Sequence, residues 1–358
     1  MGHQSPDSSS RRTGMIVHFD GSSADDVWQQ AAEEFQCSDR IRSQNSRSGS
    51  TREILHAAMS IADPRQRWVV SRKPPLNVAF ALAEVVWIMR GRRDLAFLEY
   101  WNSRYRNFVG PGPELHGAYG YRLRHHLDID QLERAYQILD RDPDSRQVVL
   151  QIWDSRIDMP AADGTPSNSD IPCNVLAMPK IRDGKLEWLQ VIRSNDMFLG
   201  VPHNFVQFTS LQEILSGWLG VECGSYTQIS DSLHVYDRDW EKVVDSHPLP
   251  NISLSIDSLT LPRQESDRVF KELERRVEKM IDPETEPGTL EGLASWDSVP
   301  QGYRNIVYVL AAEALRRRGL REAATGIMQH CKSPVYQQLW SRWSSSRLGQ
   351  TKSSRRHP

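Results

Sequence analysis

Arg193-Ser194-Asn195-Asp196-Met197-Phe198-Leu199-Gly200-Val201-Pro202-His203-Asn204 is the stretch on which the reading of this chain turns. It begins where a strand-like segment ends and finishes where a helical spacing starts. Upstream, CNVLAMPKIRDGKLEWLQVIRS (173–194) is rich in β-branched and aromatic residues and hinges at Asp183-Gly184, a hairpin signal. Downstream, Phe205, Phe208, Leu211, Ile214, Leu215 and Leu219 fall at helical spacing before a stop at Gly220. Farther out, RQVVLQIWD (146–154) and GSYTQISDSLHVY (224–236) read as further strands. Strands and helices interleave, so the body is mixed α and β, an α+β class.

The flanks extend this pattern. NVAFALAEVVWIMRG (77–91) is apolar for about four turns and stops at Gly91, which predicts a buried helix with a glycine cap. Glu84 alone interrupts its interior, and a buried carboxylate costs several kcal/mol unless paired or protonated. MIVHF reads as a first strand; Ser23 then caps a helix whose Val27, Ala31 and Phe35 share one face. SDRIRSQNSRSGSTRE (38–53) carries Arg40, Arg42, Arg47 and Arg52 among small residues and reads as a mobile loop able to fold around an anion. Past Leu261, segments 265–281, 303–331 and 333–343 are helical patterns, joined in part by an acidic linker at 282–292. The expected organisation is a disordered leader (1–14), a body (15–261), a helical C-terminal extension (262–345) and a fraying basic tail (346–358).

Composition removes several classes. Among 358 residues, 44 Lys+Arg balance 46 Asp+Glu, and 39% are hydrophobic, which argues against a disordered chain or a nucleic-acid coat. The basic tail interleaves no aromatics for base stacking, so nucleic acid is not an expected partner. No apolar run approaches the ~18 residues of a membrane span, and the expectation is a soluble cytoplasmic protein without a membrane partner. Cys37, Cys173, Cys223 and Cys331 are far apart, a spacing that suits neither a disulfide framework nor a metal site.

Ile171-Pro172-Cys173, the run Arg193–Asn204 and Asp231…His234-Val235-Tyr236 together resemble the thymidylate synthase family. Asp144-Ser145-Arg146, Glu84-x-x-Trp87 and Gly117-Ala118-Tyr119-Gly120 add to the resemblance, which covers roughly 40–245. It implies a thymidylate synthase-like fold, a mixed sheet packed with helices, here with an appended helical segment. It also implies one-carbon transfer from 5,10-methylenetetrahydrofolate to carbon 5 of a pyrimidine nucleoside monophosphate, most simply dUMP to dTMP, in a homodimer. Carbon 5 of uracil is a poor nucleophile until a thiolate adds at carbon 6. The resemblance makes Cys173 that nucleophile, with Arg193, and Arg146 of a second subunit, lowering its pKa. Glu84 is then the general acid/base acting through ordered water, and Tyr119 helps remove the carbon 5 proton. Arg47, Arg146, Arg193 and Ser194 would hold phosphate, although Arg42 and Arg52 leave the loop register open. Asn204 would read the base, its amide matching uracil rather than cytosine. His234 and Tyr236 would hold the sugar 3′-hydroxyl, and Asp196, Trp87 and Gly200 the reduced folate.

Three positions depart from the family pattern. Asn174 stands where His usually follows the nucleophile, and Gln147 replaces the second of two arginines, removing one phosphate contact of about 1–3 kcal/mol. The extension takes the place of the short apolar terminus that closes over folate. A looser closure admits water to the exocyclic methylene intermediate and favours hydroxymethylation of a uracil or cytosine nucleotide. A nucleotide-binding member without catalysis is the reading from another class. The extension itself could cover the folate pocket, extend the dimer interface or bind another protein.

Overall fold

In the computed structural model, residues 16–250 and 253–353 are described, so the expected leader and the last five residues lie outside them. A seven-stranded mixed sheet forms the centre, in the order β1-β3-β7-β6-β5-β4 with β2 paired to β3. The strands are β1 (Val17–Gly21), β2 (Arg42–Ser46), β3 (Gly49–Ile61), β4 (Leu150–Gln151), β5 (Asn174–Arg182), β6 (Lys185–Asp196) and β7 (Glu222–Tyr236). β1 runs parallel to β3 and β6 parallel to β7, while the other pairings are antiparallel. The β5–β6 hairpin turns at Asp183-Gly184 with φ of 50° and 73°, the left-handed pair that a tight hairpin needs.

Helix Gly200–Leu219 follows β6 and lies against the sheet, closed by Gly220 at φ 66°. Helix Val78–Met89 packs beside it and every one of its residues is buried, Glu84 included. Ser23 caps helix Ala24–Cys37 in a capping box with Asp26. These three helices place the signature run against the sheet: the Trp28 indole donates to the Met197 carbonyl, and Arg72 donates to that of Phe198.

Several sequence expectations need correction. The arginine-rich segment is not a loop but the β2–β3 hairpin, whose turn is Arg47-Ser48; β2 is exposed along its length, so no alternation betrayed it. RQVVLQIWD contributes only Leu150–Gln151 to the sheet. There the Gln131 amide both donates to and accepts from the Gln151 backbone, taking the place of a neighbouring strand. The linker contains helix Pro287–Ala294, with proline at its start. Segment 303–331 is two helices, Gln301–Arg317 and Arg321–His330, parted at Gly319 with φ 83°. The last helix, Pro334–Ser353, runs through much of the stretch expected to fray.

Helices Arg263–Ile281, Gln301–Arg317 and Pro334–Ser353 all pack on Val78–Met89. Their buried side chains, such as Leu273, Leu310 and Leu339, belong to the same continuous apolar cluster as those of the sheet. Tyr336 meets Trp68 edge-on at 5.4 Å, and Arg342 donates to the Val70 and Arg72 carbonyls.

Candidate active site

A cleft of about 640 Å³ opens beside the end of β6, within the range of sites that enclose small ligands. Its wall gathers Glu84, Trp87, Tyr119, Cys173, Arg193, Ser194, Asp196, Gly200, Asn204, His234 and Tyr236, with Arg47 from the β2–β3 turn. One sequence-derived candidate is not brought there: Arg146 is exposed in the segment before β4 and lines no part of the cleft of its own chain. Position separates the arginines of the hairpin. Arg47 borders the cleft and donates to the Ser169 carbonyl at 3.4 Å. Arg52 pairs with Asp237 at 3.2 Å and covers Trp240, while Arg42 is exposed on β2.

Cys173 stands just before β5, where Pro172 and Ile171 present their carbonyls to the Arg193 guanidinium. That guanidinium lies 5.1 Å over the Trp153 ring. The expected lowering of the thiol counted Arg146 of a second subunit, and in the single chain the balance falls the other way. Burial pushes the Cys173 thiol above its ordinary range; Asp170 and Asp196 add to this, and Arg193 and Arg47 oppose it without prevailing. Tyr119 is likewise pushed well up by burial, and the Asn174 side chain hydrogen-bonds its hydroxyl.

Glu84 has no arginine partner. Its Oε2 lies 3.5 Å from His203 Nδ1, and both atoms, with Gln207 Oε1, are buried without a hydrogen-bond partner among the described residues. All three residues line the cleft. Buried polar atoms of this kind are ordinarily satisfied by water or ligand. Asp196 turns its Oδ1 onto the amides of Phe198 and Leu199 at 2.8 and 2.9 Å, which pins the chain into the following helix. At Gly200 a Cβ would lie 3.1 Å from Asn195 Oδ1, tighter than an ordinary contact. His234 packs edge-on against Tyr236 at 5.4 Å, and Arg238 lies 3.9 Å over the Tyr236 ring.

Asn204 is held on both sides. Its Oδ1 accepts from Asn174 Nδ2 at 3.3 Å, and its Nδ2 donates to Asn195 Oδ1 at 3.0 Å. Asn174, the departure from the family pattern, is therefore a buried partner of the amide expected to read the base.

Sequence reasoning passed over His203, Asp170, Tyr105 and Arg238, which all border the cleft. His203 lay inside the quoted run, directly before Asn204 and one turn before Gln207, which also lines the cleft. The others come from loops, and only the fold brings them in. Asp170 accepts the Gly117 amide at 2.8 Å, and Arg238 donates to the Ser48 carbonyl at 2.6 Å.

A thiol, a buried carboxylate and convergent arginines line one cleft at the end of a mixed sheet. Residues 37–273 match the family model described as thymidylate synthase, and the chain belongs to that family. The family's named relatives are one-carbon transferases. A deoxyuridylate hydroxymethyltransferase of Bacillus phage SP01 is 36% identical over 200 residues, covering 53% of this chain and 51% of the relative. Another, of Pseudomonas phage M6, is 34% identical over 182 residues, half of each chain. A putative thymidylate synthase of Methanosarcina acetivorans is 36% identical over 127 residues, 35% of this chain and 55% of the relative. The chain thus spans about half the length of the curated relatives it matches. Among the described residues, no helix is long and apolar enough to cross a membrane.

Proposed function

We propose that this chain transfers a one-carbon unit from methylenetetrahydrofolate to carbon 5 of dUMP, and that water completes the reaction: dUMP, methylenetetrahydrofolate and water give 5-hydroxymethyl-dUMP and tetrahydrofolate. The observation that carries the reading is the single cleft wall that joins Cys173, Glu84, Arg193 and Asn204. Hydroxymethylation is favoured over methylation because the cleft wall among the described residues ends at Arg238, so no described side chain of the later helices closes it. The phage relatives named as deoxyuridylate hydroxymethyltransferases support the same outcome. The second reading is methylation to dTMP with formation of dihydrofolate, favoured by Trp87 at the cleft, where an indole can shield the one-carbon centre from water.

In this mechanism the Cys173 thiolate adds to carbon 6, and negative charge builds on the oxygen at carbon 4. Burial raises the Cys173 thiol, so its ionisation draws on the guanidiniums of Arg193 and Arg47 and, in the dimer of this reading, on the partner's Arg146, with the thiol proton passing to water in the cleft as the sulfur adds. Asn204 accepts from N3–H and donates to the carbon 4 oxygen. Glu84 and His203, whose facing atoms lack other partners, hold the water that relays the proton, and Tyr119 takes part in removing the carbon 5 proton. Arg47, Arg193 and Ser194 take the phosphate, His234 and Tyr236 the 3′-hydroxyl. The folate supplies the methylene carbon; Trp87, Asp196 and Gly200 would border it, and the apolar side chains of Phe80 and Leu115 in the same wall suit a flat ring.

Arg146 belongs to a homodimer in this reading, reaching the partner's phosphate. It is exposed, as are Val149, Ile157 and Met159 at 49%, 37% and 58%. The division into a body (15–261) and a helical extension (262–345) is part of the same proposal.

Mass spectrometry of products from dUMP, UMP, dCMP and CMP with methylenetetrahydrofolate tests it. A hydroxymethyl adduct on dUMP, lost in Cys173→Ala, is expected. A methyl adduct with dihydrofolate establishes the second reading. No product from any nucleotide, with dUMP bound, establishes a non-catalytic binder.

A further inference from the structure

An asparagine side chain is nearly symmetric, so Asn204 alone does not choose a base. Turned by half a rotation about its last bond, the amide exchanges donor and acceptor and suits cytosine as well as it suits uracil. Base choice therefore requires something that forbids the turn. Asn204 is one link in a buried file of amides that ends at a group able only to donate.

The file starts at Trp188 on β6. Its indole Nε1 donates to Gln190 Oε1 at 3.1 Å. Gln190 Nε2 then donates to Asn174 Oδ1 at 3.1 Å, and Asn174 Nδ2 donates to Asn204 Oδ1 at 3.3 Å. Asn204 Nδ2 donates to Asn195 Oδ1 at 3.0 Å, and Asn195 Nδ2 to Ser230 Oγ at 3.0 Å. All six residues are buried, with Gln190, Asn174 and Ser230 at 0% exposure, so water does not compete for the links from Trp188 to Asn174. The far end is permissive, since a serine hydroxyl donates or accepts. The Trp188 end is not, because an indole N–H has no acceptor face. Gln190 must turn its oxygen to Trp188, which leaves its NH₂ for Asn174, which in turn leaves the Asn174 NH₂ for the Asn204 oxygen.

We propose that Trp188, acting through Gln190 and Asn174, locks the Asn204 amide in the one orientation that accepts from N3–H and donates to the carbon 4 oxygen, and so sets the preference for uracil over cytosine. With one lone pair of Oδ1 and one hydrogen of Nδ2 engaged in the file, Asn204 retains one acceptor and one donor site for the base. Trp188, Gln190 and Asn174 are positioning residues. The inference rests on the proposed function in taking a pyrimidine monophosphate as the ligand.

Calorimetric titration of dUMP and dCMP into the wild type, Trp188→Phe and Gln190→Glu tests it, with thermal melts run on each protein. The wild type is expected to bind dUMP in preference to dCMP. Trp188→Phe keeps the ring but removes the donor, and the ratio of the two affinities should fall about tenfold or more. In Gln190→Glu an ionised carboxylate accepts on both sides, which turns Asn174 and Asn204 around and shifts preference toward dCMP. A folded variant that weakens both nucleotides equally, or leaves the ratio unchanged, overturns the lock; so does a wild type that prefers dCMP. If Trp188→Phe does not fold, Gln190→Glu decides by the same ratio. A wild type that binds neither nucleotide overturns the proposed function itself, a result distinct from an unchanged ratio.

Discussion

Replacing Glu213 by leucine strands a positive charge inside the protein. Glu213 and Arg67 form an ion pair between the Gly200–Leu219 helix and the segment after β3, and their side chains are 1% and 5% exposed. Arg67 also donates to Ser210 Oγ at 3.0 Å, and the other Glu213 oxygen accepts the Leu259 amide at 3.0 Å. Removing one member of a buried pair costs about 3–5 kcal/mol, most of it the uncompensated charge left behind. For a chain of this size, that is a fall in Tm of roughly 4–7 °C. The double variant Arg67→Met with Glu213→Leu removes the charge as well. What remains are neutral groups that have lost a partner, the Leu259 N–H at about 1–3 kcal/mol with the Ser210 hydroxyl and the Pro64 carbonyl, so the double variant should be more stable than Glu213→Leu alone. Denaturant unfolding of wild type, both single variants and the double variant closes the cycle. A double variant no more stable than Glu213→Leu, or a single loss under about 1 kcal/mol, would refute this account of the pair.

Other outcomes follow from the same contacts. Because burial raises the Cys173 thiol, its alkylation by iodoacetamide should climb steadily with pH, and Arg193→Gln should slow it at every pH by removing the largest opposing charge; a pH-independent rate of Cys173 peptide labelling would contradict this. Burial favours the neutral form of Asp158, but its bonds from Arg122, the Asp154 amide and His116 outweigh that and hold its carboxyl below the usual range. Asp158 therefore stabilises the fold above its unfolded pKa of about 3.9 and loses that contribution as pH falls through the lower folded value. Melts in acid should show Asp158→Asn with a shallower loss of Tm than wild type, and equal slopes would count against it. At Gly120 a Cβ would collide with the Ile88 backbone, so Gly120→Ala should destabilise by about 1–3 kcal/mol and displace Tyr119; an unchanged melt would show that the central helix yields.

The parts of the site carried by one contiguous run were legible in the sequence. Arg193 to Asn204 passes from β6 into the next helix, and the turn made by Asp196 fixes the geometry locally. Glu84 was legible through contrast, a lone carboxylate in an apolar helix. The β2–β3 hairpin was not, since β2 is exposed on both faces and lacks the alternation that burial imposes. Asn174 read as a departure from a pattern, while its bond to Asn204 spans 30 residues and exists only once β5 and the helix after β6 are assembled. The elevated Cys173 thiol has the same origin: cations near in sequence were visible, whereas the burial that outweighs them is a property of the finished fold.

The packing of the terminal helices on Val78–Met89 has a consequence for synthesis on the ribosome. Arg90, at the end of that helix, is bonded to Glu274, 184 residues later, and Arg342 reaches back 272 residues to Val70. By the time Arg238 has been translated, every described residue of the cleft wall exists, yet the helix bearing Glu84 still lacks the later helices that pack on its surface. The nascent chain must carry that surface, a natural target for chaperones, until the helices beyond Leu261 emerge. A message cut short there would encode all the residues of the cleft and leave them without the backing that holds them in place.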